Sequence, residues 1–150
     1  MGMTLKKLCF LLFFFICSFT TFSQSQIFII HSDSLKGNSD FKELIGRVSL
    51  QQGTTTLSCK QAIFNSLTNN VLAYGNVKII QADTVTITGD TAIYNGDMRQ
   101  AFVSGHVKLD DHTIILHTPK LNYDLNTRFA DYNAGARIVD KKSTLTSKEG

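Results

Sequence analysis

Apolar and polar residues alternate with period two through most of this chain, and the alternation itself recurs. Leu44-Gly46-Val48-Leu50, Ala73-Gly75-Val77-Ile79, Val103-Gly105-Val107-Leu109 and Tyr132-Ala134-Ala136-Ile138 each place small or apolar residues on alternate positions. That is the signature of half-buried strands. The four strings stand 29 to 30 residues apart, and further columns advance at the same spacing: Leu57, Ile87, Leu116 and Leu145; Ala62, Ala92 and Leu121; Phe64, Tyr94 and Tyr123. Several columns moving together mark a repeated supersecondary unit. The pattern predicts a single elongated all-β domain over residues 26–150, opened by a strand over Ile27 to Ser32.

The third repeat shows the unit most clearly. Val103, Gly105, Val107 and Leu109 share one face, and Asp110-Asp111-His112-Thr113 supplies turn residues. A two-residue tip at Asp111 and His112 pairs Val107 with Leu116 and Leu109 with Ile114, which matches apolar faces. After Leu116 the phase slips, because the next buried-looking residues are Leu121 and Tyr123; the same five-residue step separates Leu57 from Ala62 and Ile87 from Ala92. A slip recurring at one level predicts a bulge or corner, so that each repeat contributes to two facing antiparallel sheets. Pro119 falls in this step, where an uninterrupted central strand would not accept it. Asn95-Gly96-Asp97 and Asp124-Leu125-Asn126 supply the second turn of each unit. Ser39 to Ile45 is the one weak helical candidate.

The ends differ in composition from the repeats. Met1 to Lys7 carries two lysines and no acid, Leu8 to Phe19 is almost wholly apolar, and the chain then turns polar at Thr20. This predicts a secretory signal peptide over residues 1–25, with an uncleaved N-terminal anchor as the alternative; the apolar run of about 12 residues is short for a bilayer span. Cys9 and Cys17 lie within it, leaving Cys59 alone and without an internal disulfide partner, a buried small hydrophobe in expectation. Loss of Lys6 and Lys7 takes the basic count from 15 to 13 against 12 acids, a balance that does not point to nucleic acid. At the other end, Leu145 to Gly150 starts the second strand of the fourth repeat and stops before its aromatic column. An open edge there predicts strand addition by another subunit or by more chain.

The strings AYGNVKIIQADTVTITGDTAIYN (73–95) and AFVSGHVKLDDHTIILHTPKLNYD (101–124), with LTSKEG (145–150), resemble the OstA-like (LptA-type) family of periplasmic lipopolysaccharide-transport proteins. The likeness spans residues 27–150 and rests on the period as well as on individual residues; Ala134 in place of the glycine of the earlier repeats is the departure. The resemblance implies an elongated antiparallel β-jellyroll, shaped like a half-open taco, whose interior cradles lipopolysaccharide acyl chains while modules join end to end through their edge strands. It implies a periplasmic, non-enzymatic lipid bridge that needs no cofactor, with lipopolysaccharide and sister β-jellyroll proteins, or further copies of itself, as partners.

On this reading Val77, Ile79, Ile87, Tyr94, Val107, Leu109, Leu116, Tyr123 and Ile138 line the groove. Basic residues near the groove mouth would pair with lipid phosphates, but Arg47, Lys78 and Lys108 fall on the outward phase, where a solvated face is the ordinary role. His106 and His117 come opposite each other in the register above, a pair that lacks a third metal ligand. Asp83, Asp90, Asp97, Asp110 and Asp111 fall at expected turns and single out no acid–base pair. No phosphate loop, HExxH or GxSxG string occurs. The competing class is a structural β-solenoid module with a closed core, which would stack Tyr94 on Tyr123 in parallel and bind no lipid.

Overall fold

Eleven strands and no helix make up the computed structural model, which describes residues 25–150. Residues 1–24, holding all but the last residue of the expected signal peptide together with Cys9 and Cys17, lie outside the described residues. The strands are β1 (Phe28–His31), β2 (Ser34–Gly37), β3 (Phe41–Gln52), β4 (Thr55–Asn65), β5 (Asn70–Gln81), β6 (Val85–Asn95), β7 (Gln100–Asp110), β8 (Ile115–Asp124), β9 (Phe129–Asp131), β10 (Ala136–Val139) and β11 (Thr144–Ser147). All pair antiparallel in one sheet of order β1-β3-β4-β5-β6-β7-β8-β10-β11, with β2 also on β3 and β9 on β8. The weak helical candidate, Ser39 to Ile45, runs into β3. Parallel stacking of repeats, the solenoid arrangement, is absent from this sheet.

The sequence columns become rows across the strands. Leu50, Leu57, Ile79, Ile87, Leu109, Leu116, Ile138 and Leu145 are successive cross-strand partners from β3 to β11. A second row, Leu44, Ala62, Ala73, Ala92, Val103 and Leu121, runs across the other half of the same strands. Between the rows, every long pair slips register at one level, as at Ser58/Gln61 and Ser104/Val107. This is the predicted phase change. Residues before and after it are buried on opposite parities, so the sheet creases and its two halves face each other as wings. The two facing sheets are thus halves of one continuous, unclosed sheet.

Glycine marks the crease. Gly105 has φ +77, and a side chain there would run into the Asp90 carboxylate, with the new Cβ 2.7 Å from Asp90 Cβ. Pro119 lies opposite this bulge, between the partners of Ser104 and Val107, where no ladder hydrogen bond is lost to its missing N–H. In the fourth repeat the matching positive φ, +79, belongs to Gly135 and not to Ala134. Each earlier repeat carries two successive positive-φ residues here, Gly46-Arg47, Gly75-Asn76 and Gly105-His106, and Gly135, 29 residues after His106, stands at the second of these positions.

The β7–β8 hairpin also differs from expectation. Leu109 pairs with Leu116 and Val107 with Thr118, two residues off the expected register. The reason is turn chemistry. Asp111 Oδ1 accepts from Thr113 N at 2.9 Å and Ile114 N at 2.8 Å, while Asp110 Oδ1 accepts from His112 N at 3.0 Å. These carboxylates stabilise a wider loop in which Ile114 is no longer a ladder residue. His117 consequently faces Lys108, not His106.

Candidate functional site

The inner face of the creased sheet holds all nine expected groove residues, but in two environments. Val77, Ile79, Ile87, Tyr94 and Val107 are no more than 2% exposed. They belong to a close-packed core; the void bounded by Ile27, Leu50, Leu57, Val71 and Tyr94 is about 10 Å³, room for one water at most. Leu109, Leu116, Tyr123 and Ile138 instead line a cavity of about 540 Å³. That is within the range of ordinary ligand pockets. Val85, Ile114, Ala130 and Tyr132 complete its apolar wall, and Thr84, Asp111 and Arg128 supply polar groups. Sequence reasoning missed these. Ile114, expected as a ladder partner of Leu109, sits in the loop instead, Arg128 sits in a turn, and Val85 and Ala130 fall outside the repeated columns.

The two wings meet across the interior through a repeated polar contact. The Tyr94 hydroxyl donates to Gln52 Oε1, and Gln52 Nε2 donates to the Gly96 carbonyl at 2.8 Å. Twenty-nine residues on, the Tyr123 hydroxyl donates to Gln81 Oε1 at 3.1 Å and Gln81 Nε2 to the Leu125 carbonyl at 2.6 Å. Each buried amide thus has both ends satisfied, the condition on which burying it is tolerable. Burial pushes the Tyr94 hydroxyl up to about 12, partly offset by nearby Arg99, and burial likewise raises that of Tyr123. The two pairs form a seam between the wings. Only the matching residue of the first repeat, Phe64, lacks the hydroxyl.

The outer face carries charge. Lys78, Thr88, Lys108, His117 and Arg137 form one cross-strand row, with Lys108 Nζ 3.1 Å from Asp110 Oδ2. Asp110 is held below its usual value, chiefly by the His112 backbone N–H and then by Lys108. Arg47 Nε donates to Asp33 at 2.8 Å and holds that exposed carboxyl down. His106 Nδ1 lies 2.7 Å from Asp90 Oδ2 across the bulge, so Asp90 belongs to the crease and not to a turn. Among the described residues no cluster of three or more His, Cys, Asp or Glu could hold a metal ion. A shallow outer depression of about 500 Å³ over Ile93, Met98, Phe102 and Phe129 is rimmed by Asp124 and Asp131.

An open antiparallel sheet creased around an apolar interior defines the β-jellyroll class. Its fold matches the crystal structure of LptH, the LptA-homologous periplasmic component of the conserved lipopolysaccharide transport device of Pseudomonas aeruginosa, with TM-score 0.65 and 17% identity. The match covers 71% of this chain and 81% of that one. The family model described as OstA-like protein matches residues 24–150, and the chain belongs to the OstA-like family. No curated protein matches it.

Proposed function

We propose that this protein is a non-enzymatic periplasmic bridge that holds lipopolysaccharide acyl chains in its apolar interior and passes them toward the outer membrane. The cavity of about 540 Å³ lined by Leu109, Leu116, Tyr123 and Ile138 carries this reading. Membership of the OstA-like family and the fold shared with LptH support it. Transfer of acyl chain from water into such a site contributes about 0.8 kcal/mol per methylene, so about ten methylenes contribute on the order of 8 kcal/mol before the costs of association. No covalent chemistry is needed to hold the lipid. Val77, Ile79, Ile87, Tyr94 and Val107 become lipid contacts only if the wings part.

Arg128 lines the cavity wall and would pair with a lipid phosphate. The edge strands β1 and β11 present the unpaired backbone through which a neighbouring β-jellyroll, or a second copy, would align its interior with this one. The packed interior around Tyr94 favours a second reading, an interaction module whose core never admits lipid.

Photo-crosslinking in the cell envelope separates the two. A photoreactive residue at Leu109 should give lipopolysaccharide adducts, and one at outward-facing Lys108 should give few. A folded protein with no adduct at Leu109 rejects the lipid bridge in favour of the interaction module.

A further inference from the structure

The interior changes character at Tyr123. In the first inner row, Ile79 and Ile87 are 2% and 1% exposed and stand outside the cavity of about 540 Å³, whereas their next partners, Leu109 and Leu116, line it. On the opposite wing the boundary is Tyr123, whose ring forms cavity wall and whose hydroxyl reaches Gln81 on β5. Gln81 is itself fixed through Nε2 to the Leu125 carbonyl, 2.6 Å away. Tyr123 is thus tethered at both ends, by its backbone in β8 and by its hydroxyl across the interior.

Folding does not demand that tether. Phe64 holds the same column of the first repeat without a hydroxyl and is equally buried, at 5%. An apolar ring packs the wings together well enough; what the phenol adds is a fixed position, since an aromatic side chain held at its tip cannot swing to another rotamer to admit a ligand.

We infer that the Tyr123–Gln81 pair is a depth stop: it sets how far an acyl chain can enter the interior, and so selects among lipids by chain length. The inference rests on the lipid reading above and specifies which lipids fit. Tyr123 acts by touching the chain tip, and Gln81 is a positioning residue that holds it there. Behind the stop, Tyr94 and Gln52 repeat the arrangement within the packed core, so a chain that passes Tyr123 gains no further space unless the core also opens.

A homologous series of saturated fatty acids, titrated against the full chain by displacement of a fluorescent fatty acid, tests this. In the unaltered protein, affinity should rise about fourfold per added methylene, the factor that corresponds to burying one CH₂, and then level off at a definite length. Tyr123→Ala should move that break to longer chains by about two to four methylenes, the depth freed when a buried ring is cut back to a methyl. Tyr123→Leu, which keeps apolar packing, should move it in the same direction by less, and serves if the alanine variant does not fold. Tyr94→Phe, behind the stop, should leave the break in place. A break unmoved in either Tyr123 variant overturns the depth stop while leaving lipid binding intact. No binding at any length, or affinity indifferent to length in the unaltered protein, overturns both.

Discussion

Removing one oxygen atom at Tyr94 tests how the two wings are held together. Tyr94→Phe keeps the ring, 2% exposed, and deletes the donor to Gln52 Oε1; Gln52, also 2% exposed, then keeps a buried acceptor without a partner. Leaving one such group unmatched costs about 1–3 kcal/mol. Gln52→Leu removes the partner of three groups, the Tyr94 hydroxyl and the Gly96 and Ser25 carbonyls, and should cost about 2–5 kcal/mol on the same basis. In the double variant the phenol–amide mismatch disappears from both sides, so the losses should fall short of additivity by about 1–2 kcal/mol. Urea unfolding monitored by circular dichroism measures this cycle, with the denaturant slope checked for constancy. Additivity within about 0.5 kcal/mol would show that the two side chains do not support each other and would refute the seam. The pH arm has a definite sign. The folded-state hydroxyl is raised from 10.0 to about 12 by burial, so its contribution is complete below pH 10 and is lost as pH climbs from 10 to 12. That loss amounts to about 3 kcal/mol at most. Tyr94→Phe should remove this alkaline component, and an unchanged alkaline profile in the variant contradicts the assignment.

Gly105→Ala should destabilise by about 2–4 kcal/mol, combining left-handed strain at φ +77 with collision against Asp90, whereas Gly53→Ala, at φ +56 with nothing within 4 Å, should cost only about 1 kcal/mol. Equal urea midpoints for the two would discount the crease contact. Cys59 is 7% exposed, and burial raises its thiol above the usual range; a thiol reagent should label it only in step with urea unfolding, and prompt labelling of the native protein would place it at the surface instead.

The alternation and period in the sequence determined more of this fold than a search for catalytic strings could. Leu57, Ile87, Leu116 and Leu145 keep one spacing because each must land in the same cross-strand row, and the slip after Leu116 is visible because side-chain parity has to change where the strand bends. Both are consequences of local backbone geometry, so they are written locally. The two-residue error in the β7–β8 register came from Asp110 and Asp111, whose carboxylates choose the loop by hydrogen bonds that alternation does not encode. The shifted glycine is explained by the crease itself, which uses two successive left-handed positions, as at Gly105 and His106; the fourth repeat keeps its glycine at the second, Gly135. The seam was invisible for a different reason. Gln52 on β3 and Tyr94 on β6 stand 42 residues apart and meet only because the crease folds one half of the sheet over the other, a distance set by the sum of many bends. The division of one continuous apolar row into packed core and cavity was likewise decided in three dimensions. Ile87 and Leu109 are neighbours of the same chemistry, and only the separation of the wings around each makes one core and the other cavity wall.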